Sequence, residues 1–163
     1  MIIIIILSFL LEGIFTNIVS MNSYLLPLFT ITSLVITYPY FNKEKQYRFV
    51  LAATIIGIVY DIAYTNSLFV STFTFSICSL LIILINNYIP NSFIGKMCIN
   101  IFTIILFRII SYLLLFIFRF TTFNYHILIK GILSSLILNI IYGIFLYYVC
   151  YRVSKKLNIK TYK

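Results

Sequence analysis

The chain has 163 residues, 63% of them hydrophobic and only 9% charged, with a mean hydropathy of +1.11. A soluble domain is nearer half apolar and a quarter charged, so this composition excludes one and indicates an integral membrane protein. The net charge of +9 does not argue for nucleic acid, because the bases sit between apolar segments, where they set topology.

The length allows about six spans of ~20 residues, with no room for a separate soluble domain. The expected fold is therefore all-α, a single transmembrane domain of six helices. The first span, about 2–18, opens on an isoleucine run. It lacks the basic start and small-residue cleavage site of a secretory signal, so it reads as a retained helix. Ser8, Glu12, Thr16 and Ser20 fall at steps of four and form one polar stripe, with Glu12 near mid-span. The second span, about 24–38, carries Pro27 in its first turn, where a missing N–H is tolerated, and Pro39 ends it. Thr30, Ser33 and Thr37 share one face of it.

A loop with Lys43, Lys45 and Arg48 leads to the third span, about 49–64. Here Ala53, Gly57 and Asp61 lie at successive steps of four, so two small residues and a carboxylate share a helical face. Small residues admit a neighbouring helix, and a charge on that face points at protein rather than lipid. A turn at Thr65–Ser67 precedes the fourth span, about 68–88, and Lys96 marks the next loop. The fifth span, about 97–118, holds Asn100, Arg108 and Ser111 on roughly one side. A loop from Arg119 to Ile129, containing His126, leads to the sixth span, about 130–151. Gly131, Ser135, Asn139 and Gly143 recur there at steps of four, the pattern of a face packed on other helices.

Residues 152–163 form a basic tail with five Lys and Arg, read as a cytoplasmic topology determinant and a contact for anionic lipids. With six spans, the bases of the first loop, Lys96 and the tail fall on one side, and only Arg119 and Lys130 on the other. The positive-inside rule then places both termini in the cytoplasm, across a bacterial plasma membrane.

Glu12, Asp61 and Arg108 are the ionisable residues within spans, each costing roughly 2.5–3.5 kcal/mol on insertion scales. Glu12 and Arg108 fall at similar depth, so an ion pair between them is expected, with Asp61 joining it or meeting Arg119 at the outer rim. Such a cluster either fixes helix register or serves a proton relay, an ion site or a partner's anchor. No enzyme signature is present: there is no HExxH, Gly-rich phosphate loop or GxSxG. Cys78, Cys98 and Cys150 form no CxxC and behave as small apolar residues. Neither a cofactor nor a metal site is expected, and His126 reads as an interfacial residue.

The early Leu11-Glu12 and the segment Gly57-Ile-Val-Tyr60-Asp61-Ile, followed by Tyr64-Thr-Asn-Ser-Leu68, resemble the rod shape-determining MreD family. Members carry a similar Gly-x-x-x-Asp segment after a polar loop, and often a glycine just after the Asp-bearing helix, where this chain has Leu68-Phe69. The resemblance implies a non-enzymatic scaffold of the bacterial cell-elongation machinery. It would bind the membrane helix of the bitopic protein MreC and help couple MreB filaments to the glycosyltransferase and transpeptidase of wall synthesis. The family also looks like the six-helix S components of energy-coupling-factor vitamin transporters, which makes a substrate-binding transporter subunit the alternative. Against that alternative, the first span lacks an Ala-x-x-x-Ala pattern and the outer loops are short. A small membrane protein with a structural ion pair and no MreC-like partner is the third reading.

Overall fold

In lipid a backbone N–H or C=O has no water to turn to, so each apolar run satisfies its own polar groups by becoming a helix. The computed structural model describes residues 1–19, 27–41, 46–64, 69–120 and 124–157. In chain order its helices are α1 (Ile2–Val19), α2 (Phe29–Thr37), α3 (Gln46–Tyr64), α4 (Val70–Tyr88), α5 (Phe93–Ile117) and α6 (Tyr125–Lys156). No strand occurs among the described residues. Four of these helices, α3 to α6, are long and apolar enough to cross a membrane, and α1 is a shorter apolar helix.

The organising element is α2. Each of its nine residues is buried, and it packs against α1, α4, α5 and α6. Proline brackets it: Pro27 precedes the helix, and Pro39 lies in a single 3-10 turn, Tyr38–Tyr40, that follows it. Nine residues rise only about 13 Å, less than half of a ~30 Å hydrocarbon core. Pro27 was expected inside the first turn of a full span; the helix instead starts at Phe29. Two of its hydroxyls are satisfied locally, Ser33 Oγ donating to the Thr30 carbonyl (2.7 Å) and Thr37 Oγ1 to that of Ser33 (2.7 Å).

Around α2, the helices α3 and α4 form the most extensive pair, while α5 packs on both α4 and α6. The core joins Ile31, Leu34 and Val35 of α2 to Phe49, Phe75, Ile99 and Ile104 of its neighbours. Side chains on the outside are as apolar as those within: Ile3, Leu10, Ile62, Leu84, Ile94 and Ile137 are all more than half exposed. A continuous apolar exterior of this kind is what acyl chains, not water, would cover.

Several boundaries move from the sequence expectation, each for a local reason. Helix α5 begins at Phe93 because the Ser92 hydroxyl accepts from Gly95 N (3.1 Å). Lys96 thus enters the first turn rather than a loop, where it is buried and donates to Asn86 Oδ1. Asn124 caps α6 by accepting from His126 N (3.0 Å), so His126 lies in a helix, exposed, and not in a loop. At its far end α6 runs on to Lys156 and takes up the first part of the basic tail. Ser20, the loop with Lys43 and Lys45, the Thr65–Ser67 turn and residues 158–163 lie outside the described residues.

Candidate functional site

Helices that start inside a membrane protein create a problem at their first turn, where N–H groups have no partner within the helix. Two buried carboxyls answer it in the same way. Glu12, on α1 and 1% exposed, accepts through Oε2 from both the backbone N (2.8 Å) and the Oγ1 (2.6 Å) of Thr30, in the first turn of α2. Asp61, on α3 and 2% exposed, accepts at Oδ2 from Thr72 N (2.9 Å) and Thr72 Oγ1 (2.7 Å), and at Oδ1 from Ser71 N (2.9 Å). Each carboxyl therefore caps the start of a different helix, and each is held by a threonine that offers both N–H and hydroxyl. The positive end of the helix dipole adds to the attraction.

The other oxygen of Glu12 accepts from Tyr60 OH (2.8 Å), which ties α1 to α3 as well as α2. Edge contacts with Phe9 and Tyr64 hold the Tyr60 ring, and Phe75 packs against it. Gly13 lets α3 come close here, since a Cβ at that position would lie 2.2 Å from the Tyr64 hydroxyl. A second side chain completes the start of α2: Asn139 of α6 accepts at Oδ1 from Leu28 N (2.9 Å). The interior end of α2 is thus closed by α1 on one side and α6 on the other.

The expected Glu12–Arg108 pair is not formed. Arg108 remains within electrostatic range of Glu12 and Tyr60, but Thr30 and Tyr60 take the hydrogen bonds of the carboxyl, and Arg108 Nε is buried without a hydrogen-bond partner. Asp61 does not join Glu12 either; it is engaged at the first turn of α4.

Most of the small residues at steps of four on α3 and α6 are buried, with one exception. The buried residues of α3 are Phe49, Ala53, Gly57 and Asp61, one every fourth position. A Cβ on Gly57 would stand 2.7 Å from Thr72 Cα and 3.2 Å from the Ser71 carbonyl oxygen, so this glycine is what lets Asp61 reach the first turn of α4. On α6, Ser135, Asn139 and Gly143 are buried, and Gly143 faces Asn100 and Thr32. Gly131 is the exception: a Cβ there would meet nothing within 4 Å. It borders a cavity of about 390 Å³ between α5 and α6, lined also by Arg108, Ser111, Tyr112 and Lys130.

The family model for rod shape-determining protein MreD matches residues 1–157. The chain belongs to the MreD family. Comparison with curated proteins and with solved structures returns no match. Membership implies a role in determining rod shape, in a family of structural proteins rather than enzymes. Phe69 immediately precedes α4 with φ at 72°, in the left-handed region that glycine enters freely and other residues do not. Just beyond it, Ser71 and Thr72 donate to Asp61.

The sequence alone did not disclose Thr30, Thr72, Tyr60 or Gly13 as partners of the two carboxyls. A threonine one or two residues inside a helix start, with an acid on a neighbouring helix, is the signal that could have found them.

Proposed function

We propose that this MreD-family protein is a non-enzymatic membrane scaffold. It binds the single membrane helix of an MreC-like partner, and through it helps link MreB filaments in the cytoplasm to the glycosyltransferase and transpeptidase that build the wall. The observation that carries this reading is the family match over residues 1–157. The site geometry supports it, because both carboxyls are engaged in capping helices of the bundle and so act as fasteners.

In the same reading the chain crosses the plasma membrane six times, with α2 in the second crossing and both termini in the cytoplasm. The charge distribution supports this orientation. Lys96 and the exposed Arg152, Lys155 and Lys156 then share the cytoplasmic side, and Lys130 lies opposite.

Affinity capture of the tagged protein from its native membrane in mild detergent, followed by mass spectrometry, tests the scaffold. Recovery of a single-span protein with a large extracytoplasmic coiled coil, together with wall-synthesis enzymes, is the expected result. Recovery of a second multi-span protein with two ATPases would replace the scaffold by a vitamin-transporter subunit.

A further inference from the structure

A cavity lies between α5 and α6, beside the polar interior of the bundle. Arg108, Ser111 and Tyr112 of α5 face Lys130 and Gly131 of α6 across it, and Leu115 and Leu128 form apolar walls. Three observations give it a chemical character. Arg108 Nε is buried without a hydrogen-bond partner. Arg108 also makes no ion pair with a described carboxyl, since Glu12 and Asp61 are engaged at the starts of α2 and α4. The third is Gly131, whose missing side chain leaves the space empty.

A guanidinium in a membrane interior is costly unless an opposite charge meets it. No described carboxyl meets it at contact, while the cavity places a second cation, Lys130, on the same space. A volume of about 390 Å³ suits a small polar headgroup rather than a large ligand. Guanidinium and ammonium groups together match phosphate oxygens. On the topology proposed above the cavity lies in the outer half of the bilayer, with Arg108 about 13 Å from the C-terminal end of α5. Apolar walls beside the cations suit an acyl chain below the charged group.

We propose that this cavity binds the phosphate of an anionic lipid headgroup, with Arg108 as the inner and Lys130 as the outer cationic contact. The site is separate from the basic tail, whose Arg152, Lys155 and Lys156 belong to the other end of α6. Its occupant would neutralise Arg108 and join α5 to α6 where Gly131 leaves them apart.

The test is native mass spectrometry of the purified full-length protein in mild detergent, titrated with phosphatidylglycerol, with diacylglycerol of the same chains, and with inorganic phosphate. The expected result is a tight phosphatidylglycerol site that Gly131→Leu, which fills the cavity, and Lys130→Gln each weaken by about tenfold. Gly131→Leu should keep the wild-type unfolding temperature, because a Cβ at that position would meet nothing within 4 Å. Competition by inorganic phosphate, lost in the same variants, would keep the phosphate site and name free phosphate as its source. Equal binding of diacylglycerol, or phosphatidylglycerol binding untouched by both variants, would overturn the proposal.

Discussion

Phe69 holds a left-handed conformation that costs a non-glycine residue about 1 kcal/mol or more, and its side chain is 59% exposed, so it recovers little by packing. Phe69→Gly should therefore raise stability, by up to about 1 kcal/mol after glycine's own entropic cost, read as a higher unfolding temperature in detergent. An unchanged or lower temperature would mean that the ring does more than its exposure indicates. Glu12→Ala strands three buried donors, each worth roughly 1–3 kcal/mol when left unpaired. A loss of about 3 kcal/mol is expected, with Glu12→Gln intermediate because the amide oxygen still accepts. If both variants unfold like the wild type, the carboxyl does not hold the start of α2. Asp61→Ala should cost about 2 kcal/mol through the lost cap, and Thr72→Val about half of that, since the Thr72 N–H keeps its acceptor.

Among the elements, the α3–α4 pair depends on close approach. Gly57→Leu places its Cβ against the backbone of α4, where nothing can rotate away, so the helices must separate at a cost of about 1–3 kcal/mol or more. Because Asp61 rides on the same face, the variant should also loosen the α4 cap; amide exchange at Ser71 and Thr72 faster than in the wild type would show it. Much of this was legible in the sequence. The step of four that carries Ala53, Gly57 and Asp61 depends only on helix geometry, and all three are buried. The partners of the carboxyls were not legible, because they are backbone N–H groups at the starts of other helices. Composition does not say where a helix starts, and α2 begins at Phe29, not at the edge of its apolar run. The Glu12–Arg108 pair failed for the same reason: matched depth makes two charges neighbours only if no nearer donor intervenes, and Thr30 and Tyr60 intervene.

For the molecule as a whole, the expected orientation can be checked by labelling single cysteines placed at Lys163 and at Asn124 in a background without the native three. In intact cells a membrane-impermeant maleimide should reach position 124 and not position 163. Labelling of both, or of 163 alone, would remove the six-crossing arrangement and with it the outer position of the α5–α6 cavity.

The three fastenings at helix starts span very different lengths of chain. Asp61 finds its donors 10 and 11 residues later, almost as soon as it is made. Glu12 waits 18 residues for Thr30 and 48 for Tyr60, and Leu28 waits 111 for Asn139. A ribosome extending this chain into the bilayer thus delivers the carboxyl of α1 long before the hydroxyl of α3, and the last lock on α2 only with the final helix. Biosynthesis consequently has a built-in order in which the buried centre of the protein is the part finished last, and a chain stopped before α6 presents an open backbone to membrane proteases.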